Sequence, residues 1–514
     1  MTKIRTGVLI EVASIQEYIF TSNKLKENVG ASYIIEKLLF GENGPMDATL
    51  KEVYGEDFNI NLWKKFNDVD DESPCEVGYI GGGNCLIFFK ESEKAINFIK
   101  NFSKVCLLKF PTLRLLFGLR NDFDLNKYPE SFRELLGDLK KRKAEYKFQV
   151  SVPKHGITAD CPLSNDAAEV YDNDLDAYIS MTSASKLEAS KIAFSNQNEL
   201  YKCLAGRYVL PDKIDDLGQE IEGSYIAVVH IDGNGMGNVF SKISLIRDLR
   251  RKSDAVSRKA FNAMDSLIEH IIDLKENEKL LDLNIKGEIL PIRPILVGGD
   301  DITFLCEGRL GMYLAEKFIR LFYNDHDRSL DNSEKLMDGA CAGVAIVKSH
   351  FPFYKAVKLA EELCAEAKKV SRLTPGSYIS FYYSSTTFSG SPEMLRQRTH
   401  KTESGNLSFG PYLLFDESKS NSIEKLKEGI KLFKGLTYCH PVKNPAINLK
   451  WPRNKVMKLR EILTDSASSQ KLFEKEMAEI ELSLPLNKKT IWDNSKTPVF
   501  DQIELMDFYL DNLL

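Results

Sequence analysis

The chain has 514 residues, which is more than one hydrophobic core usually holds, so we expect several domains. Its 43% hydrophobic and 28% charged content is ordinary for a globular protein, and its net charge of -5 argues against a basic nucleic-acid coat. Nine cysteines without C-x-x-C spacing predict reduced thiols, a cytoplasmic location and no zinc site, and the absence of a long apolar run predicts no membrane contact.

The first 120 residues predict a small α+β unit. A strand-like run over residues 4–12 is followed by a hairpin around the glycines of 79–88. A helix over 94–108 and a strand over 113–118 complete the unit. Residues 121–220 predict a charged, mainly helical linking region. Its Lys140–Lys143 run suits either a solvated face or, as a second option, an RNA-contacting strip.

Residues 221–400 predict a second α+β unit. An apolar strand over 226–231 ends at Asp232, and apolar spacing predicts a helix over 248–275. A hairpin centred on residues 298–301 follows, and then come a helix over 312–323, a strand over 343–347 and a helix over 353–370. This order of elements is that of a ferredoxin-like βαββαβ palm.

The two units predict an internal duplication. Residues 79–88 align with 296–305, and residues 8–20 align with 228–240. The alignment sets three residues of the first copy opposite three acids of the second: Gly83 opposite Asp300, Asn84 opposite Asp301 and Val12 opposite Asp232. The separations agree closely, since 83 − 12 = 71 and 300 − 232 = 68. We therefore expect the first copy to be a palm stripped of its acids.

The last part of the chain, residues 401–514, predicts a small helical domain. A segment rich in Ser, Thr and Gly over 386–409 predicts a boundary loop. Helices are expected over 422–433, 453–463, 470–482 and 501–514.

The chemistry is concentrated at Gly298-Gly299-Asp300-Asp301, which lies between two apolar runs. A Gly-Gly pair between strands predicts a tight turn in which both glycines take positive φ. Neighbouring carboxylates at such a tip repel unless a cation shares them, so with Asp232 they predict a Mg²⁺ or Mn²⁺ site for nucleotidyl transfer. Asp232 and Asp300 are the expected bridging ligands, and Asp301 is expected to coordinate directly or through water. The carbonyl of Gly233 or that of Ile231 is expected to supply a further oxygen.

Glycines and basic residues around these acids predict where a nucleotide binds. Gly233, Gly235 and Gly237 open a helix, and with Gly298 and Gly299 they let phosphates approach the backbone closely. Two basic side chains are the leading candidates for phosphate contacts: Lys368 and then Arg258. For either one, a solvated helix face is the competing interpretation.

The Asp232–Gly237 and Gly298–Asp301 motifs together resemble the second palm of the polymerase-like large subunit of type III CRISPR effector complexes (Csm and Cmr). Ser14-Ile15-Gln16-Glu17-Tyr18-Ile19-Phe20 is similar to that family's first palm, and residues 342–347 with 356–368 to the end of its second. The two palms are also more distantly similar to GGDEF-type diguanylate cyclases and class III nucleotide cyclases.

The resemblance implies an ATP-using cyclase that makes a cyclic oligoadenylate messenger for antiviral defence. It implies that two ATP molecules bind between the palms, with Ser32 near an adenine. It also implies activity gated by guide-RNA recognition of a target RNA, within a complex that contains small helical and backbone subunits. Measured against that family, we expect no HD nuclease domain, a zinc module absent or reduced to Cys161, and a short C-terminal helical part.

Three other interpretations stay open at this point. One is a stand-alone synthase of an AMP conjugate or a cyclic dinucleotide. Another is a non-catalytic scaffold for RNA and partner subunits, against which the intact trio of acids argues. The third is a homodimeric diguanylate-type cyclase, against which the internal duplication argues, because the chain supplies its own second palm.

Overall fold

The computed structural model describes residues 3–145, 156, 158–164, 166–217, 224–324, 339–384, 390–437, 450–480, 482 and 491–514. Over these residues the fold is α+β, as expected, and is built on two larger sheets that are both flanked by helices. We call the parts that contain these sheets the first palm and the second palm.

The first palm has a four-stranded antiparallel sheet. Its strands are β1 (Ile4–Val12), β2 (Cys75–Gly81), β3 (Asn84–Phe89) and β4 (Leu115–Asp124). They lie in the order β2-β3-β1-β4, which is the ferredoxin-like order expected from the sequence. Its helices are α1 (Ile15–Phe20), α2 (Leu25–Tyr33), α3 (Pro45–Tyr54), α4 (Ser92–Lys109) and α5 (Tyr128–Glu145). A π-helical turn, Ile34–Leu38, follows α2 directly.

A short connecting part follows the first palm. It holds the hairpin strands β5 (Val170–Asp172) and β6 (Ala177–Ile179), and the helices α6 (Met181–Ser195) and α7 (Gln197–Leu200). Helix α6 packs against α2, and α5 packs on β4 and β1. The region expected to link the palms therefore contributes a helix to the face of the first sheet.

The second palm repeats the order of the first and extends it. Its strands are β7 (Tyr225–Gly233), β8 (Ile292–Gly298), β9 (Asp301–Glu307), β10 (Ala340–Lys348) and β11 (Tyr378–Ser384), and its helices are α8 (Met236–Ser241), α9 (Ile246–Glu276), α10 (Gly311–Asn324) and α11 (Phe353–Leu373). With β12 (Tyr412–Leu413) the sheet has the order β12-β11-β10-β7-β9-β8. Strand β11 runs parallel to β10, because the long helix α11 returns the chain to the same edge.

The C-terminal part is helical, as expected. Its helices are α12 (Pro392–Thr399), α13 (Ile423–Phe433), α14 (Arg453–Ile462), α15 (Ala467–Glu479) and α16 (Val499–Leu505). A loop was expected over residues 386–409. Residues 386–389 lie outside the described part of the chain, and the rest of this segment contains helix α12. The last predicted helix ends at Leu505 and gives way to 3-10 turns. Within the described residues, no helix has the length and apolarity needed to cross a bilayer.

One strand of the second palm has both faces buried. In β7, Ala227, Val229 and Ile231 belong to the core under α9 and α10, while Ile226 and Val228 belong to a second core. That second core is continuous with the first palm, since it also holds Val8 of β1. An apolar run without alternation is what a strand covered on both faces requires.

The hydrogen bonds at the ends of the first strands correct the alignment of the two copies. The N–H of Val12 bonds the carbonyl of Gly83 at 3.0 Å, and the N–H of Gly233 bonds the carbonyl of Asp300 at 3.0 Å. The hairpins therefore align as expected, but Val12 is the counterpart of Gly233. The alignment of Val12 with Asp232 was wrong by one residue, because a run of apolar residues does not reveal its register.

Candidate active site

Three carboxylates meet where β7 ends and the hairpin of β8 and β9 turns. Asp232, the penultimate residue of β7, is the cross-strand partner of Asp301 at the start of β9. Asp300 precedes Asp301 in the turn, and its carbonyl accepts a hydrogen bond from the N–H of Gly233. The three acids expected to converge do so.

The turn differs in detail from the expected Gly-Gly turn. Gly298 pairs with Asp301 as the last residue of β8, so the two turn residues are Gly299 and Asp300. Gly299 has φ +65°, while Asp300 does not take positive φ. The expectation that both glycines occupy the turn was therefore wrong. One result is that Asp300 itself stands at the tip.

Burial and neighbouring charge raise the pKa values of Asp300 and Asp301. Burial, and then the charge of Asp232, raise the pKa of Asp300. Burial, followed by the charges of Asp232 and Asp300, raises the pKa of Asp301 to about 8, although Gln16 and Lys368 oppose the shift. The protein therefore holds negative charge here at a cost that a bound cation would offset.

Two side chains engage these carboxylates. Lys368, on α11, forms an ion pair with Oδ2 of Asp232. Gln16, on α1 of the first palm, donates from Nε2 to Oδ2 of Asp301 at 2.8 Å. Oδ1 of Asp301 is buried and has no hydrogen-bond partner among the described residues.

The fit to a divalent cation rests on this chemistry. As the side chains lie, the described residues contain no group of three or more His, Cys, Asp or Glu side chains that could hold a metal ion. Three neighbouring carboxylates, two of them with raised pKa values, and one orphaned oxygen are nevertheless what Mg²⁺ or Mn²⁺ binds. Displacing Lys368 from Asp232 would free a further oxygen. The metal ligands Asp232, Gly233, Asp300 and Asp301 therefore remain a prediction.

His230 lies beside Asp301, and the sequence analysis did not identify it as a residue of the site. Its Nδ1 lies 3.0 Å from Oγ1 of Thr303 and 3.5 Å from Oδ1 of Asp301. Burial lowers the pKa of His230, which favours the neutral ring. A signal was present in the sequence, because His230 precedes Asp232 by two residues and so points to the same face of the strand.

The three predicted phosphate-loop glycines have three different roles. Gly235 has φ +79° and caps α8, which only a residue tolerant of left-handed backbone does readily. A Cβ on Gly233 would lie 3.0 Å from Cβ of Asp300, so this glycine permits the acids to approach. A Cβ on Gly237 would meet nothing within 4 Å.

A cleft of about 540 Å³ lies beside Lys368. Lys368 and Arg372 lie one helical turn apart on α11, and Gly235 also lines the cleft. Asn234 ties the glycine loop to α11, since its Nδ2 donates to Oγ of Ser371 at 3.0 Å. Two cations beside a glycine suit a polyphosphate, and Arg372 was missed because its signal was only the i, i+4 spacing from Lys368.

A second hollow, of about 670 Å³, lies between the palms. We call it the inter-palm cavity. Its walls include Asp300, Asp301 and Gly298 of the second palm and Gly83 of the first. Arg258 also lines it and pairs with Asp254 on α9 at 2.6 Å.

Ser32 is placed behind the cavity wall. Its side chain is buried, and its hydroxyl donates to Oε1 of Glu36 at 3.2 Å. Glu36 lines the cavity. Contact between Ser32 and an adenine stays a prediction that would require this hydrogen bond to change.

The first palm keeps a remnant of the same arrangement. Glu11 is the cross-strand partner of Asn84, as Asp232 is of Asp301. Lys143, from α5, pairs with Glu11 at 2.6 Å. The sequence analysis expected the first copy to have lost its acids, but it keeps Glu11. Lys143, one lysine of the basic run, has this carboxylate as its partner.

Comparison with known proteins confirms the resemblance and the fold. Residues 225–373 match the family model described as "Cas10/Cmr2, second palm domain". None of the curated proteins matches the chain. Structures of a Csm1-Csm4 cassette in complex with cA4, AMPPNP and pppApApA are similar with a TM-score of 0.52 each, at 13%, 14% and 13% identity. The alignments cover 98% of this chain and 69%, 70% and 69% of the matched chains.

Proposed function

We propose that this chain is a nucleotidyl cyclase that converts ATP to a cyclic oligoadenylate as the large subunit of a type III CRISPR complex. The observation that carries the proposal is the convergence of Asp232, Asp300 and Asp301, of which Asp300 and Asp301 line the inter-palm cavity. The ligands named for the similar Csm1-Csm4 structures, cA4, AMPPNP and pppApApA, support it. Guide-RNA gating and the partner subunits are part of the proposal.

The reaction joins a ribose hydroxyl of one nucleotide to the α-phosphorus of another. A phosphorus–oxygen bond forms, the bond to pyrophosphate breaks, and the hydroxyl proton is released. Divalent cations held by the acids would make that hydroxyl more acidic and neutralise charge on the α-phosphate. The acceptor nucleotide binds in the inter-palm cavity, whose lining by Asp300 and Asp301 supports this part of the proposal.

The residues of the Lys368 cleft bind the leaving group. Lys368 and Arg372 contact the β- and γ-phosphates, and Gly235 allows them to approach the backbone. Because Lys368 pairs with Asp232 in this structure, binding of a triphosphate would draw the lysine from the carboxylate and free Asp232. Substrate arrival and cation binding would then favour each other.

The proposal is tested by incubating the purified chain with α-labelled ATP or GTP and Mg²⁺ or Mn²⁺, with and without the guide-RNA complex. Asp232→Asn and Asp301→Asn should lower pyrophosphate release by about 10²–10³-fold, as expected for a lost electrostatic group. Glu11→Gln is the matched control, because it alters the counterpart of Asp232 in the first palm and should leave activity unchanged.

The products distinguish the alternatives. Labelled cyclic oligoadenylate supports the proposal, whereas an AMP conjugate or a cyclic dinucleotide from GTP supports a different synthase. Pyrophosphate release that is unaffected by either aspartate substitution, or no release with any nucleotide, cation or complex, would refute it.

A further inference from the structure

We propose that Gln16 of the first palm is a positioning residue for the cation site of the second palm and acts by holding the carboxylate of Asp301; this inference rests on the proposed function. Gln16 is 285 positions from Asp301 in the chain. The hydrogen bond from Nε2 to Oδ2 of Asp301, at 2.8 Å, is a direct side-chain contact between the first palm and the acids.

The backbone sets Gln16 in position. Strand β1 ends, Ser14 takes φ +53°, and α1 begins at once, so that Gln16 is the second helical residue. The second palm has the same turn, with Gly235 at φ +79° before α8. In this equivalence Gln16 corresponds to Gly237. The first palm thus has a long amide where the second has no side chain, and that amide crosses to the other palm.

The remaining polar atoms point to a ligand. Oε1 of Gln16 and Oδ1 of Asp301 are both buried, and neither has a hydrogen-bond partner within the part of the chain described. They belong to the two groups that the hydrogen bond from Nε2 to Oδ2 joins. His230 does not relieve Oδ1, since its Nδ1 is 3.5 Å away and pairs with Thr303 instead.

Two unpaired oxygens on a pair of hydrogen-bonded side chains suit a hydrated divalent cation. Mg²⁺ and Mn²⁺ take oxygen ligands, and Mg²⁺ keeps several waters when bound to protein. With Oδ2 held by Gln16, Oδ1 of Asp301 would be the oxygen available to a bound cation, and Oε1 of Gln16 would be available to accept a hydrogen bond. Partners that orient a ligand in this way commonly change metal affinity when removed.

The test is the affinity of the full chain for Mn²⁺, measured by the free-ion electron paramagnetic resonance signal without nucleotide. Gln16→Met keeps the length of the side chain but has neither the donor nor the acceptor, and should weaken binding about tenfold. Gln16→Asn keeps the amide but shortens its reach, and should show a similar loss. Glu17→Met, on the same short helix, is the control and should bind Mn²⁺ as the parent does.

A double-mutant cycle separates positioning from general destabilisation. In an Asp301→Asn background, Gln16→Met should cause no further loss of Mn²⁺ affinity, because the group through which it acts is altered. If Gln16→Met lowered Mn²⁺ affinity as much in the Asp301→Asn background as in the parent, or if both Gln16 variants kept the parental affinity, the inference would be overturned. The proposed function would still stand in either case if the parent turns over ATP. A parent that neither binds Mn²⁺ nor consumes ATP would overturn both.

Discussion

The carboxylate of Glu36 in the first palm accepts a hydrogen bond at 2.8 Å from the backbone N–H of Val297 in the second. Val297 lies two residues before the turn that carries Asp300. Glu36 belongs to the π-helical turn after α2, a geometry often found at functional sites. Burial raises the pKa of Glu36. A half-buried side chain of one palm therefore helps to hold the strand that positions the acids of the other.

Removing this side chain should loosen the hairpin. Glu36→Ala leaves the N–H of Val297 without its acceptor, and we expect a cost of about 1–3 kcal/mol for the unpaired buried donor. Hydrogen exchange of the Val297 amide measures the effect directly, and it should become faster. Glu36→Gln keeps a carbonyl acceptor of the same reach and is the control. Equal exchange in Glu36→Ala and Glu36→Gln would contradict this account of the contact.

The phosphate-loop glycines should not be equally sensitive to substitution. In Gly233→Ala the new Cβ would lie 3.0 Å from Cβ of Asp300, so the turn must shift and activity should fall at least tenfold. Gly237→Ala meets open space within α8 and should retain activity, with stability unchanged or slightly higher. Steady-state ATP turnover and thermal melting of both variants provide the measurements. A greater loss of activity in Gly237→Ala would show that steric crowding by Asp300 is not the cause.

The elements of the fold and the acids could be predicted because their signals are local. Helix α9 was expected over 248–275 and spans Ile246–Glu276, since its apolar spacing recurs every three or four residues. Gln16 and Glu36 were not predicted in their observed roles, because their partners lie 285 and 261 positions away. For Gln16 the one signal was its place in a segment that resembles the family's first palm.

The cleft beside α11 should affect substrate binding more than folding. Lys368→Met removes a cation from the proposed triphosphate site and should raise KM for ATP about 10–100-fold, the range for a lost hydrogen bond to a charged group. Arg372→Met should raise KM in the same direction. Lys369→Met, the exposed neighbour on the same helix, is the matched control. An unchanged KM for ATP in both Lys368→Met and Arg372→Met would show that the triphosphate does not bind in this cleft.

His400 should make the junction with the C-terminal part sensitive to acid. The centroid of its ring lies 5.2 Å from that of Phe500 on α16 and 5.6 Å from that of Tyr382 on β11. Burial, and then the charge of Arg396, lower the pKa of His400 to about 4. Between the ordinary histidine pKa of about 6.5 and this value, the unfolded chain takes up a proton that the folded protein does not.

The contribution of His400 to the free energy of unfolding is therefore complete above about pH 6.5 and is lost as the pH falls towards 4. Its slope should stay below about 1.4 kcal/mol per pH unit, the value for one full proton, because the ring is only partly buried. Urea unfolding at several pH values between 4.5 and 7 measures it. His400→Phe keeps the aromatic packing without the titrating group, so its stability should depend less on pH. If the free energy of unfolding of the parent and of His400→Phe changed in parallel with pH, the titration of His400 would not be the cause of the acid sensitivity.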